Sequence, residues 1–315
     1  MNDETPRRYS GSLLERAAAI YDLAPPASVL PKASRIDEAD LSAPVPAEAV
    51  PVLNTPQIVE RSFADVPGQR RTIAIDRDKL AEAGMIVPGA AVTALAEEFR
   101  LVKRQLLNTS RTIRGDDADK SRMILVSSAK PNDGKTFCAI NLALSLAAEK
   151  DVEILLVDAD FAKPDILNHL GAADGPGLLD ALNGSMSAED CILDTDIPQL
   201  SVLPAGTRTV ADTELLASQR AKTVLDGLAG ANPRRIVIFD SPPVLAASPA
   251  SALASHVGQV MLIVRADKTS ESDLREAVAL LDECEQVQLL LNSVSFQPGG
   301  RRYGGYGAYY GEAAE

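Results

Sequence analysis

Residues that build zinc and disulfide sites are scarce in this sequence, which has two histidines and three cysteines among 315 residues. The histidines, His169 and His256, lie too far apart for a zinc-binding pair, and no two cysteines have CxxC spacing. The odd number of thiols (Cys138, Cys191, Cys284) fits reduced cysteines in a cytosolic interior. These shortages argue against a zinc enzyme and against a disulfide-stabilised domain.

Long apolar runs are also missing. No run approaches the roughly 18 residues of a membrane span, and the N-terminus MNDETPRRYS lacks the apolar segment of a secretory signal. A net charge of -13 argues against duplex nucleic acid as the main partner, because phosphate contacts need a basic face. The sequence therefore predicts a soluble cytoplasmic protein, with 46% hydrophobic residues to form a substantial core.

Three regions precede the main domain. Residues 1–23 contain a short amphipathic helix, which either caps the domain or docks a partner. Residues 24–90 are predicted to be a Pro/Ala-rich, mostly disordered linker, since seven prolines fall between Ala24 and Pro56. Residues 92–108 form an amphipathic helix, because its apolar side chains recur at helical spacing: Leu95, Phe99, Val102 and Leu106.

The remainder alternates β-branched apolar runs with segments of helical length. Strands buried on both faces and joined by helical crossovers give a doubly wound, mostly parallel α/β sheet with helices on both faces. We assign residues 91–297 to this domain. The predicted strands are MILVSSA from Met123, EILLVDAD from Glu153, LSVLPAG from Leu200, RIVIFDSPP from Arg235, QVMLIVRA from Gln259 and QLLLNSVS from Gln288.

A phosphate-binding loop follows the first of these strands. Residues 129–136 read AKPNDGKT, the P-loop pattern [AG]xxxxGK[ST] between a strand and a helix. Backbone N–H groups at the helix N-terminus bind phosphates, while Lys135 adds a charge and the Thr136 hydroxyl a magnesium ligand. Asn132 replaces a usual glycine, and asparagine tolerates positive φ. The predicted nucleotide-binding residues are Asn132, Asp133, Gly134, Lys135, Thr136, Phe137 and Asn292.

Three aspartates end neighbouring strands. Asp158 and Asp160 close LLVDAD and point to the same side, because side chains alternate along a strand. Asp240 closes RIVIFD as a Walker B carboxylate would, placed to hold magnesium directly or through water. Carboxylates at the carboxyl ends of parallel strands line the ligand crevice. We therefore predict catalytic roles for Lys135, Asp158 and Asp160, and metal ligands in Thr136, Asp158 and Asp240.

The last residues form a tail, 298–315, that is too glycine-rich to pack. Six glycines lie between Gly299 and Gly311, so the aromatic side chains there are displayed to solvent. Four of the six tyrosines of the chain lie in this tail: Tyr303, Tyr306, Tyr309 and Tyr310.

The P-loop, the DAD motif and IVIFDSPP, together with GPGLLDALNG, LPAG, TELLAS and the tyrosine cluster, resemble the bacterial tyrosine kinases of exopolysaccharide synthesis. The likeness runs from about Val92 to the C-terminus. SSAKPNDGKTF, KLAEAGMIVPG and EEFRLVKRQLL look most like the exosortase-associated tyrosine autokinases. The resemblance implies a P-loop NTPase fold related to the MinD/ParA-type ATPases, use of ATP and Mg²⁺, and autophosphorylation of the tail tyrosines.

The resemblance also implies an assembly. The family's ExxRxxR motif, on a helix that packs subunits into a ring, matches Glu97 and Arg100 but has Lys103 at its last position, followed by Arg104. It further implies activation by a separate membrane-embedded regulator of polysaccharide chain length, which would recruit this chain to the inner face of the membrane. Ala162 stands where the family's DxDxR motif has arginine, and lysine at 163 does not replace a bidentate arginine.

The expected chemistry is phosphoryl transfer to tyrosine. A phenol with a pKa of about 10 needs a carboxylate to accept its proton, and either Asp158 or Asp160 is the candidate base. One alternative is an ATPase switch of the partitioning and septum-placement type, whose signature lysine matches Lys130. A second alternative is single-strand nucleic-acid binding by the Arg/Gly/Tyr tail. Asn292 has either an adenine contact or a packing role.

Overall fold

The computed structural model describes residues 70–113, 119–208, 215–216 and 218–294. The predicted N-terminal helix, most of the predicted linker and the tyrosine tail lie outside these residues. Within the described part of the chain, no helix is both long and apolar enough to cross a membrane.

The predicted parallel sheet is confirmed. Its eight strands stand in the order β1-β4-β5-β3-β6-β2-β7-β8, and of the described pairings only β4 with β5 is antiparallel. All six strands predicted from the sequence are present. The strands are β1 Thr72–Ile73, β2 Met123–Ser128, β3 Glu153–Asp158, β4 Leu193–Thr195, β5 Leu200–Leu203, β6 Arg235–Asp240, β7 Gln259–Arg265 and β8 Val287–Asn292.

Helices cover both faces of the sheet, as a doubly wound fold requires. Because strand side chains alternate, Leu125 of β2 joins the core on one face while Ile124 and Val126 join the core on the other. The helices are α1 Arg77–Glu82, α2 Ala94–Thr112, α3 Lys135–Ala147, α4 Ile166–Leu170, α5 Leu178–Asn183, α6 Ala188–Cys191, α7 Gln219–Gly230, α8 Pro249–Ala254 and α9 Glu271–Ala279.

Helix α2 is the predicted amphipathic helix. It begins after Thr93, whose side chain accepts a hydrogen bond from the backbone N–H of Ala96. Phe99 and Leu106 are buried against α3 and the sheet, and Leu95 and Val102 pack on the same core. The apolar face of α2 therefore covers α3, the helix that follows the P-loop.

The domain begins earlier than predicted. The expected linker reaches residue 90, but β1 pairs with β4, and α1 packs beneath it on the core. Ile75, Leu80 and Met85 are 3%, 0% and 5% exposed. The expectation of disorder is wrong for residues 70–90, because these three apolar side chains complete the core at the edge of the sheet.

Candidate active site

The P-loop has the backbone that a phosphate site needs. It runs from the end of β2 at Ser128 to the start of α3 at Lys135. Asn132 has φ 66° and Gly134 has φ 97°, so both lie in the left-handed region, and the expectation for Asn132 is confirmed. The first N–H groups of the 13-residue helix α3 point into this turn and have no intrahelical partner. This arrangement suits an anion.

Side chains from the β7–α9 connection hold the P-loop from one side. The Arg265 Nη1 donates to the Asn132 carbonyl at 2.6 Å. The buried Asp133 carboxylate accepts from the backbone N–H of Lys130 at 3.2 Å and from the Thr269 hydroxyl at 3.4 Å. The loop is thus fixed before any ligand binds, which lowers the entropic cost of binding phosphate.

Asn292, at the end of β8, closes over the same loop. Its Nδ2 donates to the Asp133 carbonyl at 2.9 Å. A Cβ at Gly134 would lie 2.3 Å from that Nδ2, so glycine is required there for space as well as for its φ. The Asn292 amide is therefore engaged in holding the P-loop. The Phe137 ring packs on the core, which leaves its backbone N–H as its means of reaching a phosphate.

Lys135 and Asp160 form an ion pair in the site. The Lys135 Nζ lies 2.8 Å from the Asp160 Oδ2, and the Lys163 backbone N–H donates to the other carboxylate oxygen at 3.1 Å. Burial by itself lowers the pKa of Lys135, but the negative charges of Asp240, Asp160 and Asp158 outweigh it and raise the pKa. Lys135 is therefore a fixed cation among carboxylates.

Asp158 differs from Asp160 in its surroundings. Its Oδ2 accepts from the backbone N–H groups of Asp165 and Ile166, each at 3.1 Å, and its Oδ1 accepts from Asp160 N–H at 3.3 Å. Burial raises the pKa of Asp158 to about 7 against these bonds. Both of its oxygens accept backbone hydrogen bonds that shape the turn after β3, so fewer lone pairs are left for a metal.

Asp240 stands opposite Asp158 on the adjacent strand β6. It is fully buried, and neither carboxylate oxygen has a partner at full hydrogen-bond geometry, although the Thr136 hydroxyl lies close enough to lower its pKa. Burial raises its pKa to about 8, although the positive charge of Lys135 opposes the shift. An unpartnered buried carboxylate is costly, and its presence beside a P-loop is explained by a cation.

The side chains of this site fit a magnesium ion that is shared with substrate phosphates better than a metal ion that is coordinated by protein side chains alone. In the described part of the chain, no group of three or more His, Cys, Asp or Glu side chains forms a metal cluster. Magnesium usually takes one or two carboxylates together with substrate phosphates and waters. Asp240, with the hydroxyl of Thr136 at the start of α3, is such a donor set.

The charged side chains of α2 that were predicted to form an oligomer interface differ in their surroundings. Glu97 and Arg100 form an ion pair within α2, and Arg104 is exposed. Lys103 is used inside the chain, because its Nζ donates to the Ser145 carbonyl at 3.0 Å and lies 2.7 Å from the Glu149 carboxylate. Lys103 thus connects α2 to the end of α3, while Arg100 and Arg104 are exposed and Glu97 is half-buried.

Two arginines at the edge of the site were missed in the sequence. Arg265 ends β7, so its position at the carboxyl edge of a predicted strand was a usable signal. Arg208 gave no such signal, because it lies in the loop after β5. Its Nη1 donates to the Ala162 carbonyl at 3.3 Å, which brings a guanidinium to the residue where the DxDxR motif lacks its arginine.

Comparisons with known proteins agree with this geometry. A family model described as AAA domain matches residues 121–293. Tyrosine-protein kinase ptk of Acinetobacter johnsonii is 31% identical over 187 residues, which are 59% of this chain and 25% of that protein. Tyrosine-protein kinase YwqD of Bacillus subtilis is 28% identical over 199 residues, 63% of this chain and 83% of that protein.

A solved structure, the VpsO kinase domain, is 31% identical with a TM-score of 0.51, and the match covers 62% of this chain and 98% of that one. The chain spans about a quarter of the length of the first curated relatives that it matches.

Proposed function

The chain belongs to the bacterial tyrosine kinases, within the AAA domain family and with the P-loop NTPase fold, and from this premise we propose that it is an ATP-dependent protein-tyrosine autokinase. Its acceptors are Tyr303, Tyr306, Tyr309 and Tyr310. The observation that carries the proposal is one cluster at the edge of the sheet, in which the Lys135–Asp160 ion pair lies beside the unpartnered Asp240 carboxylate.

The nucleotide phosphates bind to the P-loop. The N–H groups between Asn132 and Phe137 hold the phosphate oxygens, and Lys135 adds its charge at the outer phosphates. Asp240 and the Thr136 hydroxyl would hold Mg²⁺, which supplies charge neutralisation when bound. The contacts from Arg265, Asp133 and Asn292 support this loop from behind.

The transfer step joins the phenol oxygen to the γ-phosphorus. The bond between that phosphorus and the oxygen bridging to the β-phosphate breaks, and ADP leaves with that oxygen. The phenol proton passes to a carboxylate. Asp160 suits this role better than Asp158, because its hydrogen-bond partners are one backbone N–H and Lys135, which can turn to the phosphate when nucleotide binds.

We further propose that the tail of one copy enters the site of a neighbour in a homo-oligomer. The exposed Arg100 and Arg104 side chains of α2, with the half-buried Glu97, support an interface there. Each phosphotyrosine adds about -1.5 to -2 charges, so a fully modified tail is repelled by an already acidic protein and loosens the assembly. A membrane-embedded polysaccharide regulator would serve as activator, and exopolysaccharide production is the process regulated.

Phosphosite mapping after incubation with magnesium and ATP tests the activity. We expect phosphate on the four tail tyrosines, and its loss in Lys135→Ala. Lys163→Ala is the matched control, because it removes an exposed lysine from the same edge of the sheet. Tail labelling that survives Lys135→Ala refutes the catalytic assignment. ATP hydrolysis without tail labelling would favour the ATPase switch instead.

Oligomer mass tests the assembly. Mass photometry before and after ATP treatment should show dissociation, and Arg100→Glu should prevent assembly in the unmodified protein. A fully phosphorylated tail with unchanged mass contradicts the charge-driven release.

A further inference from the structure

The loop that carries Arg208 is fixed by a buried carboxylate. The Asp180 Oδ2 accepts from the backbone N–H of Gly177 at 2.8 Å and of Thr207 at 3.0 Å. A Cβ at Gly206, which has φ 90°, would lie 2.5 Å from the same oxygen. The backbone is therefore held in place one residue before Arg208, so the point from which the Arg208 side chain extends is fixed.

Arg208 and the P-loop lie on opposite sides of Asp160. Strand β5, which leads to Arg208, lies next to β3, and both β3 and β6 separate it from β2 and the P-loop. The side chain is exposed and turns back to the Ala162 carbonyl, two residues after Asp160. We take this side as the entry for a phosphoryl acceptor, which rests on the proposed function.

The distance from Arg208 to Asp160 has an upper limit. Lys163 N–H donates to the Asp160 carboxylate, and its nitrogen is bonded to the carbonyl carbon of Ala162, whose oxygen accepts from Arg208. This path places the guanidinium within about 9 Å of the carboxylate. Three residues of polyproline II backbone make one turn, which puts side chains i and i+3 on the same side and spans about 9 Å.

The tail tyrosines have the same spacing. Tyr303, Tyr306 and Tyr309 follow one another at intervals of three residues. When the phenol of one lies at Asp160, the next side chain of the series lies within reach of Arg208. A phosphate on that neighbour carries about -1.5 to -2 charges and three acceptor oxygens, which a guanidinium binds bidentately.

We propose that Arg208 binds the phosphate of a tyrosine already modified, three residues from the tyrosine that accepts the next phosphate. The ion pairs of the described residues do not include Arg208, so its charge is not neutralised by a carboxylate there. Asp158, Asp160 and Asp240 repel further phosphates. A tail that carries one phosphate is therefore retained at the site, whereas a tail that carries several is released.

Peptides of residues 300–311 with Tyr306 as the sole acceptor test this proposal. One peptide has phosphotyrosine at 303, one has it at 309, and the reference has phenylalanine at both positions; Tyr310 is replaced by phenylalanine throughout. Product is measured by mass spectrometry with the full chain and ATP. We expect a KM about tenfold lower for a phosphorylated peptide than for the reference, as one charge-assisted hydrogen-bonded pair provides.

In Arg208→Gln, the KM of the reference peptide divided by that of a phosphorylated peptide should fall to about one. Arg234→Gln should keep the wild-type ratio, because it removes the same charge from the opposite edge of the sheet, where Arg234 pairs with Glu153. Arg208→Lys should restore part of the ratio, since it keeps the charge without the fork. A wild-type ratio near one, or a ratio that persists in Arg208→Gln, overturns the proposal.

A binding measurement distinguishes a failure of this inference from a failure of the proposed function. Fluorescence anisotropy of the same peptides, with a non-hydrolysable ATP analogue present, needs no transfer. If no peptide is phosphorylated, the kinase proposal fails, while tighter binding of a phosphopeptide to wild type than to Arg208→Gln still supports the role of Arg208. Equal binding to both refutes it.

Discussion

Asp240→Asn should stabilise the protein in the absence of nucleotide while removing its response to magnesium and nucleotide. The carboxylate is fully buried without a hydrogen-bond partner, and burial raises its pKa from 3.8 to about 8. At pH 7 this shift costs about 4 kcal/mol of folding free energy. A buried amide without partners costs about 1–3 kcal/mol. The variant is therefore expected to gain about 1–3 kcal/mol.

The pH dependence has a definite sign. A carboxyl group whose pKa is raised on folding stabilises the protein least above its folded pKa, so stability falls as pH rises from about 4 to about 8. Among the described residues, such groups are Asp158, with a pKa of about 7, and Asp240, with a pKa of about 8. Removing Asp240 should make the fall in stability between pH 5 and 7 shallower by about 1 kcal/mol per pH unit.

Thermal unfolding in EDTA measures this effect. A gain of about 1–3 kcal/mol raises Tm by about 3–10 °C for a domain of this size. Magnesium with ADP should raise the Tm of wild type and leave that of Asp240→Asn nearly unchanged. Asp174→Asn is the control, because it changes an exposed carboxylate. A variant less stable than wild type in EDTA, or one with the wild-type pH slope, refutes the reasoning.

Three further predictions concern stability. Gly134→Ala should cost about 1–3 kcal/mol of folding free energy, because the φ of 97° strains alanine and its Cβ clashes with Asn292. In a double-mutant cycle, Asn292→Ala should recover the part of this loss that is due to the clash, and additive losses contradict the contact. Leu80→Ala should cost about 2–4 kcal/mol in denaturant unfolding, and a loss below about 0.5 kcal/mol would place it outside the core. Glu189→Gln should cost about 1 kcal/mol at pH 7: partial burial raises the pKa of Glu189, but Arg235 and Arg70 outweigh it and lower the pKa, and solvent screening keeps the effect small. The difference should shrink as the pH falls through the lowered pKa of Glu189, and a constant difference contradicts it.

The fold was predictable from the sequence because strands buried on both faces leave an unbroken apolar signal. Runs such as those from Met123 and Arg235 became β2 and β6 with every residue buried. The P-loop was equally clear, since its pattern combines glycine and lysine with a position between a strand and a helix. Even the φ of Asn132 followed from its residue type.

Contacts between distant segments were not predictable. The predicted linker extended to residue 90 on the strength of the prolines that precede residue 57, and only the completed sheet shows where Ile75 and Leu80 pack. Lys103 was predicted to lie at an oligomer interface, whereas its partners within the chain lie about forty residues away on α3 and beyond. The hydrogen bond of Arg208 to Ala162 likewise depends on two loops that only the sheet order brings together.

The hydrogen bond from Asn292 to the P-loop also has a mechanical consequence. Asn292 is the last residue of β8, and the chain runs on from it toward the tyrosine tail. A pull on the segment that follows Asn292 reaches this residue before the rest of β8, and its amide is hydrogen-bonded to the carbonyl of Asp133 in the P-loop. One hydrogen bond therefore connects the end of the last described strand to the loop between β2 and α3.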